Sequence, residues 1–304
     1  MALVRIDSGA PVPAELWRRA ETLPPDRPVV VMIHGYRFTP SVPDRSPHHH
    51  ILSLTPDPGA RRALSWPAAL GFSAEGSEGL GVALGWDSCG GLRAVHGRAA
   101  EVGAELAALI DRLALAARRP VALIGHSLGA RVALAALGRA APGAVGRVVL
   151  LAAAELRPRA EAAIASPAGM LAEVVNVTSR ENDPFDLALE LILSAGRHRA
   201  LGFGLGQPRR NWVDLQIDDA ATLASLGRLG FAIDPRASRA CHWSPYLRAG
   251  LFDLWRCVLC TPAALPLPLL AAAGPARPAR RWSRLMAPQR GVPSSPAFSS
   301  GISA

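Results

Sequence analysis

Short apolar runs alternate with helical patterns along the first 260 residues of this 304-residue chain. Most of the runs are apolar on consecutive residues rather than on every second residue, which is typical of strands buried on both faces of a sheet. The predicted strands are Leu3–Ile6, Arg27–Ile33, Leu80–Trp86, Val121–Ile124, Arg147–Ala153, Glu173–Thr178 and Trp212–Ile217. The longest helical pattern covers Leu92–Ala117. The alternation predicts an α/β fold, a mostly parallel sheet with helices on both faces.

Three segments depart from this alternation. Residues 39–79 are rich in Pro, Ser and Gly and too long for an ordinary connection, so we expect an irregular functional insert there. Residues 184–211 end in a Gly-rich connection and are expected to contribute a cap or lid. From Thr261 the chain becomes rich in Pro, Ala and Arg, and we expect 261–304 to be a disordered, low-order tail beyond a single domain at 1–260.

The basic charge of the chain does not predict a nucleic-acid partner. The formal net charge is +9, and every basic residue is an arginine. More than half of that charge comes from the acid-free tail, which contains Arg277, Arg280, Arg281, Arg284 and Arg290. No predicted helix carries a dense basic stripe with interleaved aromatic residues. We therefore expect no nucleic acid as a partner.

Cysteines, histidines and the chain ends give little sign of metal, cofactor or membrane. Cys257 and Cys260 form a lone C-x-x-C in an apolar helical run, so they are expected to pack rather than bind zinc. Three consecutive side chains, His48–His50, cannot easily converge on one ion. The start of the chain lacks a signal-peptide pattern, which suggests a cytoplasmic protein. Leu265–Ala273 is too short and too interrupted by prolines to span a bilayer, which leaves weak surface attachment of the tail as the alternative.

The segment Gly125-His126-Ser127-Leu128-Gly129 falls between a predicted strand and a predicted helix. This is the G-x-S-x-G pattern of a nucleophile elbow, in which a strained turn exposes the serine hydroxyl. The flanking Gly125 and Gly129 allow close approach of neighbouring backbone. Because Ser127 precedes the helix, the N–H of Leu128 is directed at a developing oxyanion. His126 follows the strand directly and is expected to pack beneath the elbow rather than act as the base.

Over residues 27–260 the chain resembles the α/β-hydrolase family. VVVMIHGYRF is similar to the family's oxyanion loop, in which His-Gly-X follows a strand. The resemblance implies that His34 and Gly35 shape this loop and that the backbone N–H of Tyr36 is the second oxyanion donor. It also implies that the catalytic acid and base follow the nucleophile in that order along the chain.

Two carboxylates and two histidines compete for the remaining catalytic positions. Asp183 lies in the turn after the strand Glu173–Thr178 and is the preferred acid, while Asp186 lies in the first helical turn and is the alternative. His242 precedes the last helix and is the preferred base, because His198 lies in an Arg- and Gly-rich connection expected to be solvated.

These residues predict a serine hydrolase that cleaves an ester-like acyl bond through Ser127, His242 and Asp183 without a cofactor or metal. The expected partner is a small-molecule or lipid-like acyl substrate. Trp66, Phe72, Phe185 and Phe203 are candidates to line its pocket, with packing as the alternative. A thioesterase or acyltransferase of the same fold, or a catalytically silent binding protein, is the competing prediction. Neither the substrate nor the oligomeric state follows from the sequence.

Overall fold

The computed structural model describes residues 3–73, 79–275 and 278–286. Its centre is a sheet of seven parallel strands in the order β1-β3-β2-β4-β5-β6-β7. The strands are β1 (Leu3–Asp7), β2 (Val29–Ile33), β3 (Leu80–Gly85), β4 (Val121–His126), β5 (Val145–Leu151), β6 (Glu173–Thr178) and β7 (Trp212–Gln216). The predicted α/β fold with a parallel sheet is confirmed.

Eleven α-helices surround the sheet within the described ranges. They are α1 (Ala14–Glu21), α2 (Trp66–Ala69), α3 (Leu92–Ala117), α4 (Leu128–Leu137), α5 (Arg157–Ile164), α6 (Asp183–Ser194), α7 (Ala220–Arg228), α8 (Ser244–Leu247), α9 (Leu251–Cys260), α10 (Leu267–Ala273) and α11 (Ser283–Met286). The predicted last helix is thus two helices. Gly250 separates them, with a left-handed φ of +84°, and a Cβ there would collide with the backbone of Ala232.

Each face of the sheet has its own hydrophobic core. Along β2, Val31 and Ile33 pack on one side with α1, α3 and α4, while Val30 and Met32 pack on the other with α2, α9 and α10. Successive strand side chains point to opposite faces, so a strand covered on both sides must be apolar at every position. This explains the continuous apolar runs of the sequence.

The first part of the predicted low-order tail is packed on the domain, so the prediction is wrong for 261–275 and 278–286. Leu267, Leu270 and Ala273 recur on one side of α10 and are buried against β7 and α7. Further on, Arg281 bonds to Glu190 at 2.7 Å. The burial of α10 and the Arg281–Glu190 ion pair both involve partners that are distant in the sequence. The composition of the segment therefore does not predict them. Residues 276–277 and 287–304 lie outside the described residues.

The insert and the predicted lid both border the same end of the sheet. In the described part of the insert, short 3₁₀ turns at Pro43–Arg45 and Pro47–His49 precede α2. Trp66 and Phe72 are buried in the core beneath it. Residues 184–211 contain most of α6 and the connection to β7, and α6 packs beside α3 as a wall at this end.

Candidate active site

Ser127 lies at the junction of β4 and α4 in a strained backbone conformation. Its φ is +56° and its ψ is −119°, a combination that non-glycine residues rarely adopt. The N–H of Ser127 donates to Leu151 O at 2.9 Å, and the N–H of Ala154 donates to Ser127 O at 3.0 Å. The neighbouring strand therefore holds the turn on both sides. These features are those of the predicted nucleophile elbow.

The two glycines of the elbow are required by close backbone contacts. A Cβ on Gly125 would lie 2.5 Å from Gly129 O, and a Cβ on Gly129 would lie 2.5 Å from His34 O. Real Cβ atoms do not approach backbone oxygens so closely. The start of α4 can therefore pack against β4 and the end of β2 only without side chains at these positions.

Replacing Gly129 with Ala is expected to lower the free energy of unfolding by about 2 kcal/mol, because backbone rather than a mobile side chain meets the new methyl group. Gly97 is the matched control: it lies in α3, and a Cβ there meets nothing within 4 Å. Gly97→Ala should stabilise the protein by about 0.5–1 kcal/mol. Denaturant unfolding of both variants measures the difference. Equal effects would show that the close packing at the elbow is not rigid.

The His-Gly-Tyr loop lies directly against the elbow. A Cβ on Gly35 would lie 3.0 Å from Ser127 Cβ, so the two backbones are in contact here. His34 holds the loop from inside: its Nε2 accepts from Trp86 N–H at 3.0 Å and its Nδ1 donates to Gly35 O at 2.9 Å. Burial lowers the pKa of His34 to about 3, so the ring is neutral and can both accept and donate.

The backbone N–H groups of Leu128 and Tyr36 are the predicted oxyanion donors. Leu128 is the first residue of α4, so its N–H has no acceptor within the helix. Tyr36 follows Gly35, and its hydroxyl anchors the loop by donating to Gly90 O. Tyr36, Gly35 and Ser127 line one cavity. Within the described ranges no hydrogen bond uses the Tyr36 N–H, whereas the next N–H, that of Arg37, donates to Ser88 O at 3.1 Å.

His242 lies in the same cavity, and its partner is Asn182 rather than Asp183. His242 Nδ1 is 2.6 Å from Asn182 Oδ1, and Asn182 Nδ2 donates to Asp186 Oδ1 at 2.9 Å. The imidazole stacks on Phe185, with ring centroids 4.7 Å apart. Since Asn182 Nδ2 donates to Asp186, the other end of the amide, Oδ1, is left to accept from His242. A carboxamide thus lies where a carboxylate was expected.

Asp183 is engaged elsewhere, which corrects the predicted contact with His242. Its Oδ2 accepts from Trp282 N–H at 2.6 Å, and its Oδ1 lies 3.2 Å from Arg180 Nη1. Its side chain is fully buried in this ion pair, and it is not among the residues that line the cavity. His198, the other histidine considered, lies exposed in the connection after α6.

Sequence reasoning missed Asn182 because it searched for a carboxylate. Asn182 ends a 3₁₀ turn, Arg180–Asn182, which follows β6 and is capped by Ser179. Successive side chains of such a turn point about 120° apart, so the neighbouring Asp183 faces a different direction. The available signal was an amide side chain at the carboxyl end of a strand.

Burial shifts the pKa values of His242 and of two residues beside it, His126 and Asp186. It lowers the pKa of His242 well below 6.5, helped by the charge of His126 when that ring is protonated. Burial likewise lowers the pKa of His126 to about 4. At neutral pH both rings are therefore neutral. His126 Nε2 donates to His242 O at 2.9 Å, so His126 supports the backbone of His242. Burial raises the pKa of Asp186 to about 8 against the opposing effect of Arg180.

The cavity has a volume of about 570 Å³, and Ser127 is one of the residues that line it. Of the four aromatic residues predicted as pocket candidates, only Phe185 lines the cavity. Phe203 instead contacts two guanidinium groups: the Cζ atoms of Arg180 and Arg281 lie 4.1 and 4.3 Å from its ring centre. In the part of the chain that the structure describes, no hydrogen bond joins Ser127 Oγ to His242. Such contacts are often long without substrate and shorten when it binds.

The structure gives no sign of a metal cluster or a membrane span within its described residues. No three His, Cys, Asp or Glu side chains come together there as metal ligands would. His48 instead bonds to Asp7 at 2.8 Å, and His50 to Arg61 O at 3.0 Å. Every helix in residues 3–73, 79–275 and 278–286 is too short or too polar to cross a bilayer.

A family model described as the alpha/beta hydrolase fold matches residues 92–221, which run from α3 through the elbow to the start of α7. No curated protein matches the sequence significantly. The match covers Ser127, Asn182 and Asp186 but not the His-Gly-Tyr loop or His242. In the structure both the loop and His242 lie near Ser127 although they fall outside the matched residues.

Proposed function

The chain belongs to the α/β-hydrolase superfamily, whose fold supports a hydrolase-type function, and from that membership we propose that it hydrolyses esters through an acyl-enzyme on Ser127. The observation that carries the proposal is the strained Ser127 with the His-Gly-Tyr loop against it and His242 in the same cavity. Other non-glycine residues with a positive φ, such as Arg118 and Ala195, end helices in the left-handed helical region, whereas Ser127 has a ψ of −119° outside that region.

In the proposed reaction His242 Nε2 takes the proton from Ser127 Oγ as the oxygen attacks the carbonyl carbon of the ester. The tetrahedral oxyanion accepts hydrogen bonds from the N–H groups of Tyr36 and Leu128, each worth about 3–4 kcal/mol in the transition state. His242 then gives the proton to the leaving alcohol. Water repeats the sequence on the acyl-enzyme and frees Ser127.

Asn182 has the role of positioning His242. Its Oδ1 accepts from Nδ1–H, so the lone pair of the neutral ring is on Nε2, where the base needs it. A carboxamide has no full charge, so it stabilises the imidazolium less than a carboxylate would. Asp186, hydrogen-bonded to Nδ2 of Asn182, polarises the amide from behind when it is ionised.

Hydrolysis of 4-nitrophenyl esters from acetate to palmitate tests the proposal, with a thioester of matched acyl length beside them. We expect turnover of the oxygen esters with an optimum at short or medium chains, because a cavity of about 570 Å³ encloses a limited acyl group. A clear preference for the thioester would favour a thioesterase instead. No turnover at any chain length would contradict the proposal.

The value of kcat/KM is expected to rise with pH in two steps. The first lies well below pH 6.5, because burial lowers the pKa of His242 and only the neutral ring is a base. The second lies near pH 8, because burial raises the pKa of Asp186 to about 8 and the ionised carboxylate holds Asn182 more firmly than the acid does. A pH profile of ester hydrolysis measures both.

The substitution Asp186→Asn tests whether the step near pH 8 in the pH profile comes from Asp186. The new amide oxygen still accepts from Asn182 Nδ2 but does not ionise, so the step near pH 8 should disappear while the acid step stays. If both steps stay in this variant, Asp186 is not the group that titrates near pH 8. A first step above pH 6.5 would show that His242 is solvated rather than buried.

A further inference from the structure

The walls of the active-site cavity are unevenly charged. Three arginines line it, Arg37, Arg61 and Arg62, whereas Asp186 is its one carboxylate among the described residues. Asp186 is buried and already hydrogen-bonded to Asn182. The cavity therefore presents positive charge to whatever enters it.

The three arginines have no acidic partner among the residues that the structure describes. Elsewhere on the surface arginines pair with nearby carboxylates, as Arg98 does with Asp87 at 2.9 Å and Arg236 with Asp234 at 2.7 Å. No ion pair to Arg37, Arg61 or Arg62 is formed within residues 3–73, 79–275 and 278–286. The three residues are exposed to solvent, and their charges have the same sign, so an anion that enters the cavity meets a favourable electrostatic potential.

Two of these arginines lie next to residues of the proposed site. Arg62 lies over the ring of Trp243, 3.5 Å from its centre, and Trp243 adjoins His242, with ring centroids 5.8 Å apart. Arg37 follows Tyr36 and has a φ of +73°, which is strained for a residue with a side chain. One arginine is thus held on the side of the base, and the other beside the oxyanion loop.

We propose that the substrate is an anionic ester, whose carboxylate or phosphate binds to Arg62 with Arg37 and Arg61 while its carbonyl lies at Ser127. This inference rests on the proposed ester hydrolysis and names its substrate class. Guanidinium groups bind carboxylate and phosphate through paired, charge-assisted hydrogen bonds. The apolar parts of the wall, which include Phe38, Ile51 and Leu189, contact the hydrocarbon part of the same molecule.

Matched pairs of esters test the proposal. The carboxylate pair is 4-nitrophenyl hemiglutarate and 4-nitrophenyl butyrate; the phosphate pair is 4-acetoxyphenyl phosphate and phenyl acetate. We expect the anionic member of at least one pair to have the higher kcat/KM, and the pair that shows it identifies the anion. Arg62→Gln should lower that value about tenfold more than it lowers the value for the neutral member of the pair. Added salt should weaken the preference in the wild-type protein.

Arg112→Gln is the matched control, because Arg112 also lies over a tryptophan, 4.1 Å from the ring centre of Trp17, but outside the cavity. It should change neither ester. Equal or higher kcat/KM for the neutral member of both pairs would overturn the proposal, as would equal losses on both members in Arg62→Gln.

A measurement of anion binding tests the anionic site independently of ester hydrolysis. If no ester is turned over, the proposed function fails, and calorimetry with phenyl phosphate and glutarate on the wild-type protein still decides the anionic site. Binding that weakens about tenfold in Arg62→Gln and not in Arg112→Gln supports the site. Absence of binding, or binding unchanged in Arg62→Gln, refutes it.

Discussion

Replacing Ser127 with Ala should lower kcat for ester hydrolysis about 10⁴- to 10⁶-fold. Among the described residues, Ser127 is the only serine or threonine that lines the cavity. The residual rate would come from the oxyanion donors and from substrate binding alone. Alanine keeps a Cβ at a φ of +56°, so the variant adds no new backbone strain. Steady-state kinetics with 4-nitrophenyl butyrate measures the loss, and thermal unfolding checks the fold.

Ser225→Ala is the control for this substitution, because Ser225 lies on α7 and its hydroxyl bonds only to the nearby Arg228 in the described structure. Its kinetics should equal those of the wild-type protein. Hydrolysis that persists in Ser127→Ala at the wild-type rate would mean that another group, or a contaminating enzyme, performs the reaction.

Replacing Asn182 with Ala should lower kcat about 10²- to 10⁴-fold, because the His242 ring would lose the acceptor that selects its tautomer and orientation. Asp183→Asn is the matched test of the neighbouring residue. The new amide can still accept from Trp282 N–H, and Asp183 makes no contact with His242, so kcat should stay within about tenfold of wild type.

We expect Asn182→Ala to lower kcat and Asp183→Asn to lower the free energy of unfolding. Asp183→Asn removes the charge that pairs with the buried Arg180, so we expect a loss of unfolding free energy of about 3 kcal/mol. Kinetics should therefore be measured well below the unfolding temperature of each variant. A collapse of kcat in Asp183→Asn with little change in Asn182→Ala would restore Asp183 as the residue that orients His242.

The strained turn at Ser127 could be predicted because its requirements are local. Ser127 needs a strand before it, a helix after it and glycines at Gly125 and Gly129, and all of these can be read from adjacent residues. The same holds for the continuous apolar strands, since burial on both faces leaves no alternation. The position of Tyr36 followed from resemblance to a family, and the contact of Gly35 with Ser127 agrees with it.

The partner of His242 could not be predicted, because it depends on the direction of side chains in one short turn. Asn182 and Asp183 are adjacent in sequence, yet one faces the cavity and the other faces Arg180. The docking of α10 and of Arg281 was missed for a different reason. Their burial and ion pairs depend on β7 and Glu190, which are distant in the chain and invisible in local composition.

Covalent labelling identifies the nucleophile without depending on the choice of substrate. A fluorophosphonate reacts with an activated serine, and digestion with mass spectrometry locates the adduct. We predict one adduct on the peptide that contains Ser127, a much slower reaction in His242→Ala, and none in Ser127→Ala. An adduct at another serine, or undiminished labelling of Ser127→Ala, would contradict Ser127 as the nucleophile.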